Sequence, residues 1–471
     1  MNKQFHMTIG GQPVSGSRPP LRVINPATEE VVAEAPNASF EQLGAAVTAA
    51  QEAFKKWKTT GVSERRELLL KFAAALEANA KTLSKLLTSE QGKPIWQAQA
   101  EVGRAAHWVR TTATLPFDEQ MRIDNETHTV TVRHLPLGVV GGIVPWNFPV
   151  TLAIWKIAPA VLTGNTVVLK PSPFTPLTGL TIGQIANEVF PAGVVNVITG
   201  EDDLGPAMTA HDGIAKIAFT GSSATGKKVM ETASRSLKRI TLELGGNDAA
   251  IILDDVDPVD IAPKIFWACF ANASQYCLAT KRIYVHENIH DEFLAELVKY
   301  AESIKVGNGA DEATQLGPIQ NKMQFDKVMS FIEHCKSQGY TIAYEREVTE
   351  DTGYFVGPVI VDNPPEDSQI VVEEPFGPIV PVLSFSTDDE AIERANNSSY
   401  GLGGSVWGTD IVRARGIAEQ IDSGLVWVNE IHKMEPEVPM GGHRESGIGV
   451  ENGVEGLLSY CNVQSLAVSK Q

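Results

Sequence analysis

Cys277 stands in the string FANASQYCLATKR (270–282), two positions after Gln275 and five before Arg282. A carboxylate, Glu243 in TLELGGN (241–247), lies 34 positions upstream of it, and a side-chain amide, Asn147, sits in VPWNFP (144–149). A thiol nucleophile, a carboxylate base and an amide donor for an oxyanion are the components of covalent acyl chemistry. Such chemistry needs a fold that brings three distant segments together and a partner that accepts electrons.

Two further strings point to that partner. IAKIAFT runs into GSSATG (221–226) and then into KKVMETASRSL, so Gly221, Ser222 and Gly226 open a helix after a strand. Backbone N–H groups and the positive helix end there face an anion. The spacing is not GxGxxG, and a plain strand–helix turn reads equally well. Lys170 in VVLKPSPFTP (167–176) sits at the carboxyl end of a strand, where α/β sheets bind ligands. It suits a ribose or phosphate, or a solvated strand end. HENIH (286–290) matches the zinc-protease pattern H-E-x-x-H. It follows the strand RIYV and precedes the helix DEFLAEL, which makes it a connector, and no metal site is expected.

The elements that must position these groups follow from periodicity. Apolar residues recur at helical spacing from about 40 to 90, at Leu43, Ala46, Val47 and Ala50, then Leu68, Leu69, Phe72, Ala75 and Leu76, then Leu83, Leu86 and Leu87. Segment 118–136 reads as an exposed β-hairpin, and NVQSLAVSK (462–470) as another strand; both suit a subunit interface. From 137 onward, continuous apolar runs alternate with helices: GVVGGIV, NTVVLKP, VVNVIT, IAKIAFT, ITLEL and AAIILD. Strands apolar on both faces imply a parallel α/β sheet. The same grammar resumes after Asp255, with a helix through 258–273, strand RIYV, helix 291–304, and the strands YFVGPVIV and SGLVWVN. That is a second α/β domain.

Composition bounds the partners. A net charge of −18 disfavours nucleic acid and anionic membrane surfaces. The four cysteines, Cys269, Cys277, Cys335 and Cys461, are too few and too scattered for a disulfide framework. The first residues lack a signal or transit pattern, and no apolar run is long enough to cross a bilayer. A cytoplasmic protein is expected.

In their order, VPWNFP, VLKPS, FTGSSATG, LELGGN, the FxNxxQxC string, EEPFGP (373–378) and PMGGHRESGIG (439–449) resemble the NAD(P)-dependent aldehyde dehydrogenase superfamily over almost the whole chain. The resemblance implies a Rossmann-like cofactor domain (1–117 and 137–245), an α/β catalytic domain (246–450) and a small β oligomerisation arm (118–136 and 451–471) in a homodimer or homotetramer. It implies that Cys277 attacks an aldehyde, that Asn147 and the Cys277 N–H hold the oxyanion, and that Glu243 activates water against a thioester. NAD or NADP would then lie on Lys170, Ser172, the Gly221–Ser222–Gly226 turn, Trp146, Glu374 and Phe376. Phe148, Trp155, Tyr276, Leu278, His432, Met434 and Met440 would line the aldehyde's path. Two departures stand out: Ser274 replaces a common glycine, and Pro173 replaces a glutamate that many NAD users carry. With no carboxylate at 173, NADP stays open beside NAD. His432 and Lys433 either attract an anionic semialdehyde or point to solvent, the latter favoured. The alternatives are a CoA-acylating dehydrogenase, which has no need of Glu243, and a metallohydrolase built on HENIH.

Overall fold

The computed structural model describes residues 4–348 and 352–470. Two large sheets carry the molecule, and a small third one stands apart from them in topology.

In the first large sheet, five parallel strands lie side by side as Val195–Val197, Thr166–Lys170, Val139–Ile143, Lys216–Thr220 and Arg239–Glu243. In sequence rank that order is 3-2-1-4-5, so it reverses beside Val139–Ile143. The crevice beyond the carboxyl ends of Val139–Ile143 and Lys216–Thr220 is therefore the switch point at which doubly wound sheets bind ligands. Every residue of Thr166–Lys170 and of Lys216–Thr220 is buried, as continuous apolar runs require. Antiparallel strands close both edges: Met7–Ile9 with Gln12–Val14 on one side, Gly447–Ile448 against Arg239–Glu243 on the other.

Helices cover the faces. Phe40–Trp57 starts at a capping box made by Ser39 and Gln42 and buries Leu43, Ala46, Val47 and Ala50, the stripe that the sequence spacing gives. Val62–Ala78 buries Leu69, Phe72 and Leu76, and Ala80–Gln91 buries Leu83 and Leu87.

The second large sheet runs Thr341–Glu345, Val359–Asp362, Ile379–Phe385, Thr280–His286, Asp248–Ile252, Gly403–Trp407 and Leu425–Val428, parallel except at its Thr341–Glu345 edge. The expected strand YFVGPVIV is shorter than its apolar run, because Tyr354 donates its N–H to Pro26 O and only Val359–Asp362 joins the sheet. The third sheet joins the hairpin Gln120–Asp124 and His128–Pro136 to Cys461–Ser469, nine residues of which pair with the hairpin. Helix Gly453–Leu458 does not belong to that arm: Leu457 and Tyr460 pack into the core around the first sheet.

No helix among the described residues is long and apolar enough to cross a membrane.

Candidate active site

The nucleophile loop departs from the sequence reading in one respect. The helix expected over 258–273 ends at Phe270, because Asn272, Ala273 and Ser274 take φ of 51°, 52° and 59°. Three successive left-handed residues cannot continue a right-handed helix. Ser274 meets the requirement that a glycine would meet freely, and its hydroxyl donates to Cys269 O at 2.6 Å to hold the turn. Buried Gln275 fastens the loop from below, donating to Pro318 O and accepting from the Gln320 N–H. This bracing leaves Cys277 half-buried at the end of a stiff turn.

Asn147 reaches the same place from the first sheet. Strand Val139–Ile143 leads through Trp146 to helix Pro149–Leu162, whose N-cap residue Phe148 supplies no side-chain cap. Glu101 does so instead: its Oε1 accepts from the Val150 and Thr151 N–H groups, and its Oε2 pairs with Lys93 at 2.5 Å. Lys93 in turn donates to Asn147 O at 2.9 Å and lies 3.8 Å over the Phe148 ring. Removing one member of a fully buried ion pair costs about 3–5 kcal/mol, so this loop is held firmly. Asn272 Nδ2 spans from the cysteine loop to Asn147 O at 3.4 Å. The Asn147 side-chain Oδ1 accepts from Phe148 N, while its Nδ2 and the Cys277 N–H meet no acceptor among the described residues. A free amide on a segment tied to the Cys277 loop, together with the Cys277 N–H, is the kind of donor pair a developing oxyanion needs. Asn147→Ala should therefore lower kcat by roughly 10²–10³-fold with little change in aldehyde KM, read from steady-state kinetics.

Glu243 closes the strand Arg239–Glu243, its backbone opposite Gly447. The glycines that follow permit a close approach: a Cβ on Gly246 would lie 2.6 Å from Cys277 O, and one on Gly245 2.5 Å from Glu374 Oε2. Glu243 is 2% exposed, and both of its carboxylate oxygens lack a hydrogen-bond partner among the described residues. Burial raises its pKa well above the carboxylate range; the neighbouring Glu451 adds to the rise and Lys156 opposes it. Lys156 pairs with Glu451 and donates to Thr220 Oγ1 at 2.9 Å. The Cys277 thiol is pushed up to about 12 by burial, with Lys281 pulling it down and Glu374, Asp248 and Glu243 raising it.

The dinucleotide crevice passes a test of fit. Ser222 caps helix Ser223–Ser234 through the Thr225 N–H, and the Ser223 and Ala224 amides keep no protein acceptor among the described residues, as an anion site requires. Gly226 lets the helix lie close on the Leu244 side chain, which a Cβ there would meet at 2.5 Å. Lys170 and Ser172 are buried at the end of Thr166–Lys170, and burial lowers the Lys170 ammonium to about 8 against the Asp202 and Asp203 carboxylates. Trp146 and Phe376 meet edge to face at 5.5 Å, with Glu374 half-buried nearby at the Gly245 turn.

The aldehyde side is aromatic. Tyr276 presents its ring edge to Phe148 and His432 at 6.2 Å and 5.0 Å, while its hydroxyl is tied back to Ala268 O. Trp155 stacks on Trp108 at 5.8 Å, and its indole N–H has no partner. Leu278 is buried, and Met434 packs partly buried against the same core. His432 does not point to solvent: it bonds Leu278 O at 2.7 Å, and burial lowers its pKa to about 4, so it is a neutral donor rather than a cation. Lys433 alone is exposed. Met440 is 3% exposed and paired through its backbone to Glu451. Sequence reasoning did not single out Trp108, Lys93, Glu101 or Lys281; only Trp108, seven residues after Glu101 on one helix, carried a usable spacing signal. In HENIH, His286 ends a strand and His290 starts a helix, so the two histidines do not share one helix face.

Comparison with known proteins agrees with this geometry. A model described as the aldehyde dehydrogenase family matches residues 14–466. An aldehyde dehydrogenase named LUC3 from Fusarium is 41% identical over 468 residues, covering 99% of both chains. Phenylacetaldehyde dehydrogenase of Pseudomonas fluorescens is 38% identical over 480 residues, covering 98% of this chain and 95% of its own. The NAD+ complex of an aldehyde dehydrogenase from Bacillus cereus superposes with a TM-score of 0.97 at 37% identity, covering 100% of this chain and 97% of that one. The doubly wound sheet and the match along nearly its whole length make this chain a member of the aldehyde dehydrogenase family.

Proposed function

We propose that this enzyme uses NAD to oxidise apolar aldehydes, with aromatic ones preferred, and that Cys277, Asn147 and Glu243 perform the protein's part. The observation that carries the assignment is the pair of free donors, Asn147 Nδ2 and the Cys277 N–H, on two segments that Asn272 ties together at a half-buried thiol. Cys277 sulfur adds to the aldehyde carbonyl, and the resulting oxyanion takes both donors. When bound, the dinucleotide supplies the two-electron acceptor. Glu243 then takes a proton from the water that attacks the thioester, releasing the acid and the thiol. A carboxylate with two unpartnered oxygens favours water over CoA as the acyl acceptor.

Lys170, Ser172 and the Gly221–Ser222–Gly226 turn hold the adenosine half, while Trp146, Glu374 and Phe376 hold the nicotinamide half. NAD is favoured over NADP because Asp202 and Asp203 lie within electrostatic reach of Lys170, where a 2′-phosphate would meet like charge. The Bacillus relative's NAD+ complex supports the same choice. Rings pack in pairs here, Tyr276 with Phe148 and His432, and Trp155 with Trp108, and the phenylacetaldehyde enzyme among the relatives is in keeping with an aromatic substrate. Assembly through Cys461–Ser469 is part of the reading: Val463, Leu466 and Val468 are exposed apolar residues on an edge strand. Four unpaired cysteines suit a reducing cytoplasm.

A panel of short aliphatic, aromatic and semialdehyde substrates, each with NAD and NADP, tests the assignment. Phenylacetaldehyde should exceed acetaldehyde in kcat/KM by about tenfold or more, and an anionic semialdehyde should gain nothing. NAD should exceed NADP by about tenfold or more. A semialdehyde as the best substrate would overturn the aromatic assignment, and equal use of NADP would overturn the cofactor preference.

A further inference from the structure

Strand Thr280–His286 begins with an irregularity. Its neighbour Asp248–Ile252 pairs Asp248 with Thr280 and the next residue, Ala249, with Arg282. Lys281 is thus an extra residue opposite no partner, a bulge of the kind that re-aims a side chain beside a functional site. Its neighbour Arg282 is spent on the scaffold, donating to the carbonyls of Asn247, Arg394 and Ala395. Lys281 instead turns back onto the loop that precedes it. Its ammonium is 2% exposed and lies 2.6 Å from Cys277 O, 3.1 Å from Tyr276 O and 3.3 Å from Ala279 O. A fourth contact at 3.2 Å reaches Glu374 Oε1, whose carboxylate also accepts from the Gly246 N–H.

We propose that Lys281 is a positioning residue for the nucleophile: it clamps the Tyr276–Ala279 turn by its carbonyls, ties that turn to Glu374, and supplies the positive charge that draws Cys277 towards thiolate. The proposal rests on Cys277 being the nucleophile. A thiol in a buried setting needs such a charge to react near neutral pH. The groups acting on Cys277 come from four elements. Glu243 ends one strand, Asp248 begins another, Glu374 lies in the loop after helix Gln369–Val372, and Lys281 sits at the bulge. The three carboxylates oppose the thiolate, and Lys281 favours it. Tyr276, Cys269 and His432, which also stand at the turn, are held neutral by burial. Asp248 is raised to about 7 by burial and keeps one oxygen without a partner, so its own charge also depends on Lys281.

The test follows the pH dependence of iodoacetamide alkylation at Cys277, measured by peptide mass spectrometry on the full-length, cofactor-free enzyme. Lys281→Met should move the profile to higher pH by about one unit or more and slow alkylation at neutral pH about tenfold. Lys281→Arg should keep the profile near that of the wild type. Glu374→Gln should shift it the other way, to lower pH, because an opposing carboxylate is gone. Opposite shifts separate charge from mere loop disorder, which would move both variants alike. If Lys281→Met superposes on wild type, or if both variants shift in one direction, the proposal fails. Should Lys281→Met not fold, an unshifted Glu374→Gln profile overturns it equally. Turnover retained by Cys277→Ala would instead overturn the nucleophile assignment, so the two failures are distinguishable.

Discussion

Cys277→Ala should abolish aldehyde-dependent NADH formation, lowering turnover by more than about a thousandfold. The loss should be purely chemical, since the side chain is small and half-buried and makes no side-chain hydrogen bond that holds the loop. The turn is carried by Ser274, Gln275 and Lys281, which the substitution leaves in place. NAD binding, read by fluorescence titration, should therefore persist. No other cysteine can take over. None of them stands on the loop that Asn272 ties to Asn147: Cys269 is buried in helix Pro258–Phe270, Cys335 in helix Lys322–Ser337, and Cys461 at the start of the last strand. Turnover within tenfold of wild type would remove the covalent mechanism, and with it the role given to the two free donors.

Much of the fold around this site was legible in the chain before its geometry. Continuous apolar runs such as NTVVLKP and IAKIAFT mark strands buried on both faces, because only a sandwiched parallel strand tolerates them. The crossover between them sets where a doubly wound sheet takes a ligand, and Lys170 and the Gly221–Ser222–Gly226 turn stand at strand ends on either side of Val139–Ile143. Hydrophobic periodicity failed where the backbone takes a special conformation. Nothing in FANAS announces three left-handed residues, and Phe270 ends a helix that periodicity would continue. It failed again where a side chain serves a distant element. Glu101 caps a helix about 50 residues away, and a capping signal is sought only at the helix's own start. Lys281 was hidden for a third reason: a bulge changes which face a strand residue occupies, and alternation alone cannot reveal the change. His432 shows the converse, since a histidine in a loop reads as solvent-facing until a carbonyl, here Leu278 O, is found to hold it.

Glu243→Gln should leave one rapid turnover intact while steady-state oxidation falls about 10²–10⁴-fold. Thioester formation needs Cys277, Asn147 and the acceptor, so a burst of one NADH per site should survive in stopped-flow mixing. Hydrolysis needs a base, and glutamine is none. The same change should not weaken the fold. A carboxylate with two unpartnered buried oxygens is a desolvation penalty, and a neutral amide of the same shape carries less of it. The thermal midpoint should stay level or rise while turnover collapses, a combination that damage to the scaffold cannot produce. The pH dependence has a definite sign. Burial and Glu451 raise the Glu243 pKa, so the group is protonated at low pH and idle as a base. Deacylation in the wild type should climb as pH rises through that elevated value, and Lys156, which lowers it, sets how early the climb begins. In Glu243→Gln that limb should be flat. A burst lost together with turnover would move Glu243 to a step before the thioester, and a rising limb that survives would assign the base to another group.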